Sequence, residues 1–181
     1  MSFLMGKNFS KLVGCVLAGV LICTYSALFA SEGQGFSTAS ACSVLVSEPG
    51  FQPNRSGYSI LYDNVYSCGT PYKTLGTGDL PNNIALYGLG NQSEVTRVKL
   101  MLNVNVANRA DADTKTLAIL CTKMIEGLVG SSPSGLTQKI GQGKSFEEQF
   151  KGYRIFLTKD LWPTGNGFEL NCGIATMGHQ E

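Results

Sequence analysis

The side chains with chemistry to offer are few. The 181-residue chain holds one histidine, six cysteines and 13 Asp and Glu. A Ser–His–acid or Cys–His nucleophile needs an imidazole held rigidly by the fold. The single His179 lies two residues from the C-terminus, where chains fray. Neither chemistry is expected. Paired carboxylates remain open, because glycoside hydrolysis asks for two acids at a defined separation. Asp63, Asp79, Asp160 and Glu169 are the candidates, each most simply read as a solvated surface acid.

Nucleotide and metal signals are fragmentary. Gly143-Lys144-Ser145 matches the end of a phosphate-binding loop, but Gln138 stands where the loop's first glycine belongs and a helix rather than a strand precedes it. Gly76-Thr77-Gly78 and Gly88-Leu89-Gly90 each lack the third glycine of a dinucleotide fingerprint. Asp111-Ala112-Asp113 lacks the other ligands of a calcium loop and suits the start of a helix. No cofactor and no metal are expected, and the domain reads as non-catalytic. The 14 Lys and Arg against 13 acids leave a net charge of +1. Without a clustered basic excess there is no case for nucleic acid.

What remains is recognition. Tyr58, Tyr62, Tyr66 and Tyr72 cluster in the sequence, and Tyr offers large rigid area with a polar tip. Trp162, in a turn before Pro163, is either a lid on the core or a binding anchor. Tyr58, Tyr62, Tyr72 and Trp162 are the candidate binding residues. Core packing is the competing reading for each.

The N-terminal thirty residues carry an address. Lys7 and Lys11 precede Leu12–Ala30, 19 residues without a charge. A basic start, a short apolar run and a small terminal residue describe a secretory signal peptide cleaved after Ala30. Two alternatives compete: an uncleaved anchor, since 19 residues can span a bilayer, and lipid attachment at Cys15, which has almost no apolar segment before it. All three place the domain outside the cytoplasm, in the periplasm or secreted. The mature chain then keeps 12 bases, 13 acids and four cysteines, Cys42, Cys68, Cys121 and Cys172. In an oxidising compartment these read as two disulfides. The long spacings argue against a four-thiolate zinc site.

These residues need elements to hold them. Residues 31–41 are small and polar and read as a flexible lead-in to a single domain over 42–176, with a tail at 177–181. Tyr58–Tyr66 is rich in β-formers and reads as one strand. Ile84–Gly90 and Glu94–Val106 form a hairpin. In the second strand Val98, Leu100, Leu102, Val104 and Val106 alternate with Arg97, Lys99, Met101, Asn103 and Asn105, so one face is buried and the other meets water or a partner. Leu117, Leu120, Cys121, Met124 and Leu128 then recur at helical spacing, ending at Gly130. A short helix over Ser134–Ile140 follows. Tyr153–Lys159 and Phe168–Ala175 form a second hairpin, with Phe168, Leu170, Cys172 and Ile174 on one face.

The expected fold is α+β: an antiparallel sheet of four to five strands with one long and one short helix on one face. Cys121 is central in the helix stripe and Cys172 sits on the apolar strand face, so these two should pair. Cys42 and Cys68 then pair by default. The expected function is exported protein binding, with a partner in the envelope or periplasm. An inhibitor or immunity-type protein against an envelope-active enzyme or toxin fits this profile. The alternatives are a structural or assembly component of an envelope or secretion complex, and a carboxylate-dependent hydrolase. Contact with a membrane is expected only if residues 12–30 stay uncleaved.

Overall fold

A computed structural model describes residues 33–178. The signal peptide and its cleavage point, Cys15 and His179 lie outside the described residues. The elements in chain order are α1 (Thr38–Ser43), β1 (Ser59–Tyr62), β2 (Val65–Gly69), β3 (Lys73–Leu75), β4 (Asn82–Gly90), β5 (Val95–Val104), α2 (Ala110–Val129), α3 (Leu136–Gly141), β6 (Phe146–Phe150), β7 (Tyr153–Leu161) and β8 (Phe168–Thr176). The strands form one antiparallel sheet in the order β1-β2-β4-β5-β8-β7-β6, with β3 beside β2 on the same edge of β4.

Eight strands replace the expected four to five. Tyr58–Tyr66 is not one strand: Asp63 and Asn64 take positive φ angles of 33° and 66° and fold it into the β1–β2 hairpin. Such two-residue turns match the twist of the flanking strands, and Asp and Asn tolerate this backbone at low cost. The other additions are short: β3 has three residues and β6 has five. The fold also starts before Cys42. Phe36 is buried, bridges to Val95 and stacks on Tyr153 with ring centroids 5.1 Å apart. Gly33–Ala41 is therefore packed structure and not a flexible lead-in.

One face of the sheet carries the core. Val98, Leu100, Leu102 and Val104 of β5 pair with Ile174, Cys172, Leu170 and Phe168 of β8, and the first three of each set are fully buried. Helix α2 lies over them through Leu117, Cys121, Met124 and Ile125, all at 0% exposure. It stops at Gly130, whose left-handed φ of 77° lets its N–H reach the Glu126 carbonyl. α1 joins the same layer, with Ala41 and Leu45 in the shared core. α3 packs on α2 and adds Leu136 and Ile140.

The disulfides bolt these layers together. Cys121–Cys172 joins α2 to β8 in the centre of the core, and Cys42–Cys68 joins the end of α1 to β2. Both pairings are those expected, Cys121–Cys172 from the helix stripe and the strand face and Cys42–Cys68 by default. They fit an oxidising, extracellular compartment. No helix among the described residues is long and apolar enough to cross a membrane.

A buried polar joint fixes the start of α2. The Asn82 amide donates to Asp113 Oδ2 at 2.6 Å, and its Oδ1 accepts from the N–H groups of Asn105 and Val106 at 2.7 Å each. Arg109 pairs with the other Asp113 oxygen at 3.2 Å. These contacts satisfy groups that would otherwise be buried and unbonded.

Candidate functional site

The second face of the sheet has no helix of the described residues upon it. Strand alternation puts the odd residues of β5 there, and the register builds four cross-strand rows around them. Ser67, Leu89, Arg97, Ala175 and Arg154 form one row. Gly69, Tyr87, Lys99, Gly173 and Phe156 form the next. Ala85, Met101, Asn171 and Thr158 form the third. Asn83, Asn103, Glu169 and Asp160 form the last.

Two aromatic rings lie over glycines. Phe156 opposes Gly173, where a Cβ would come within 2.6 Å of the ring. Tyr87 opposes Gly69, where a Cβ would lie 3.3 Å from the ring. The absent side chains let both rings lie down across the neighbouring strand. Arg97 caps Phe156, its guanidinium 4.7 Å from the ring centroid. The result is a low, closely packed surface in which Phe156 is only 3% exposed although no helix of the described residues covers it.

A polar network crosses the middle. Lys99 donates to Asn171 Oδ1 at 2.7 Å. The Asn171 amide donates to Glu169 Oε1 at 2.6 Å and reaches Asp160 Oδ2 at 3.5 Å. Asn103 donates to Asn83 at 2.9 Å. At the edge the Tyr72 phenol neighbours that of Tyr87. Burial, then the neighbouring Tyr72 phenol, then the nearby Glu169 charge, hold the Tyr87 phenol well above its ordinary pKa of 10.0. The face thus presents amides, two acids and a lysine that are hydrogen-bonded before a partner arrives, with Met101 and the exposed Tyr72 ring beside them.

The structure separates the candidate residues named above. Tyr72 is on this face, 52% exposed. Tyr58 is half-buried, stacks with Tyr66, and its hydroxyl lies 2.8 and 2.9 Å from the carbonyls of Asn91 and Glu94, donating to one of them. It clamps the β1–β2 hairpin to the β4–β5 turn. Burial and then the Glu94 charge raise its pKa. Tyr62 ends β1, exposed. Trp162 sits at the opposite end of the sheet and covers Gly167, where a Cβ would come within 2.7 Å of the indole.

Of the four candidate acids, the register brings Asp160 and Glu169 together as cross-strand partners sharing one amide. Asp63 is in the β1–β2 turn and Asp79 in the β3–β4 loop. Among the described residues no cluster of three His, Cys, Asp or Glu could hold a metal ion. Tyr87, Lys99, Asn103 and Asn171 are the members that spacing alone did not single out as a site. Their signal was the polar half of the β5 and β8 alternation.

A second concavity, about 770 Å³, lies on the helix layer and is lined by Ile119, Thr122, Glu126, Pro133, Leu136 and Gln138 among others. Four of its polar residues are paired: Ser132 donates to Glu126 at 2.8 Å, and Thr122 bonds Thr137 at 2.9 Å. No family model, no curated protein and no solved structure matches the chain.

Proposed function

We propose that this chain is an exported, non-catalytic protein-binding domain that docks its partner on the uncovered sheet face. An inhibitor or immunity-type protein that occludes an envelope-active enzyme or toxin is the form we favour. The supporting observation is the preorganised Lys99–Asn171–Glu169 network, flanked by Tyr87 and Tyr72, on a face that the helices of the described residues leave free. Side chains already held in place lose little freedom on binding, so more of each contact is kept as affinity. Tyr, Met and Arg are also the types enriched at interface centres.

A photo-crosslinking residue at Tyr72 or Met101 tests this in the cell of origin. One partner trapped from both positions, and none from Ile119 on the outer side of α2, is the expected result. Trapping from Ile119 alone would reject it.

The hydrolase reading has one observation in its favour, the pairing of Asp160 with Glu169. Two acids that flank a scissile bond could share acid and base roles. If that reading holds, Asp160→Asn abolishes turnover of a glycoside panel while the melting temperature stays put. An assembly role draws instead on the uncharged Leu12–Ala30 segment.

A further inference from the structure

We infer that the β1–β2 hairpin is a membrane-interface contact, in which Ile60, Leu61 and Tyr62 rest in the headgroup boundary of a lipid bilayer. The inference is independent of what binds the open face. It starts from exposure. Every residue of β1 is exposed, with Ile60 at 60%, Leu61 at 56% and Tyr62 at 60%. Successive strand residues point to opposite faces, so neither face of this strand is covered. The opposite edge is built otherwise: β6 alternates Glu147 and Gln149 with Phe146 and Phe150, and Lys139 pairs with its Glu148 at 2.5 Å. Charged and covered edges are the usual protection of a sheet, and β1 lacks it.

Position supplies the occupant. β2 pairs with β4 only from Tyr66, opposite Gly90, the last residue of β4. Leu61, Tyr62, Asp63, Asn64 and Val65 therefore extend past the last β2–β4 pair, by ~7 Å for the two residues Val65 and Asn64 at ~3.3 Å per residue, at the end of the sheet that also carries the Asn91–Glu94 turn. The same end of the sheet receives the chain. Gly33 donates its N–H to the Gly152 carbonyl in the β6–β7 turn, and Phe36 pairs with Val95 at the first residue of β5. Only Ser31 and Glu32 separate Gly33 from the uncharged Leu12–Ala30 segment, which is long enough to span a bilayer. The contact therefore requires that segment to be retained as an anchor, which brings this end of the sheet, with its β1–β2 hairpin, against the lipid.

The residue types suit the boundary. Tyr is favoured at headgroup depth, where the ring is apolar and the hydroxyl wet. Interfacial elements bury roughly 5–10 Å into that layer, comparable to the overhang. Asp63 in the turn stays at the level of the headgroups, which sets the hairpin obliquely, on its β1 side.

Tryptophan quenching reads this directly, because the sole native Trp162 lies at the far end of the sheet. The full chain is placed in vesicles of phosphatidylethanolamine and phosphatidylglycerol with brominated acyl chains. Native Trp162 is compared with L61W in a W162F background. Leu61 is exposed and Phe keeps an aromatic ring over Gly167, so the double variant should fold. The expected result is a blue-shifted L61W emission quenched several-fold more than Trp162. The same reading is made on the form that cells contain, its N-terminus set by mass spectrometry. Equal quenching at the two positions, no quenching in either form, or a blue shift that needs protein concentration and no lipid (pairing with a second copy) would each overturn the inference.

Discussion

The two faces of β5 come from one stretch of chain and share one backbone, yet they are built on opposite rules. Val98, Leu100 and Leu102 are aliphatic, fully buried and covered by α2. Between them Arg97, Lys99, Met101 and Asn103 stand on the other face and are half-buried. They are shielded mainly by one another and by Tyr87, Phe156 and Asn171. The first face derives its order from exclusion of water. The second derives it from hydrogen bonds, rings laid over glycines and a capping arginine. A surface ordered without a covering layer has its arrangement in place and its outer side free. That difference separates the part of the molecule that makes the fold from the part we assign to recognition.

Cutting the covered face should cost most. Removing the Cys121–Cys172 bridge with a double alanine substitution is expected to cost ~2–5 kcal/mol. It should cost more than removing Cys42–Cys68, because it closes a 51-residue separation against 26, a doubling worth ~0.6 kcal/mol in loop entropy, and because its sulfurs lie in the core. Thermal unfolding of the two double mutants gives the order, and a reversed order would show that α1 carries more of the fold than the core helix.

Within β5 the contrast can be read one residue apart. Leu100→Ala leaves a cavity under α2 and should lose ~2–5 kcal/mol. Met101→Ala, on the open side, should lose less than half of that. Urea titration measures both, and equal losses would dissolve the distinction between the faces. Asn82→Ala tests the polar joint and should cost ~1–3 kcal/mol, since it leaves two backbone N–H groups and a carboxylate oxygen without their partner.

The smallest effect is on titration. Tyr87 is raised above 10.0 in the folded chain, so folding favours its protonated form. The stability it contributes is complete below the unfolded value of 10.0 and is lost as pH rises through the higher folded value. Tyr72→Phe removes the Tyr72 hydroxyl's contribution and leaves burial, the largest cause, and the Glu169 charge. Phenolate absorbance should then show Tyr87 titrating earlier, yet still above an ordinary tyrosine. No change would mean that the Tyr72 hydroxyl does not act on Tyr87.

Much of this was legible in the residues and some was not. The alternation through Arg97–Val104 exposed both faces at once. The helix stripe and the Phe168–Ile174 face were enough to pair Cys121 with Cys172. The β1–β2 turn was hidden because Asp63-Asn64 interrupts a run of good strand formers without a glycine or proline. β6 was hidden because Phe146-Glu147-Glu148-Gln149-Phe150 is too short to display a period. The site itself depends on register. Asp160 meets Glu169 only because six residues, 162–167, connect β7 to β8, and Tyr87 meets Gly69 only across a pairing fixed by the β3 excursion. Spacing along one strand carries no information about such neighbours.

The most direct test of the open face as the docking surface sets Met101→Asp against Ile119→Asp. Each puts one charge on one layer, and each protein is crosslinked in the cell envelope with its melting temperature recorded. If the account is right, Met101→Asp loses the crosslinked partner while Ile119→Asp retains it, both remaining folded. Retention by Met101→Asp together with loss in Ile119→Asp would contradict it and move the site to the helix layer.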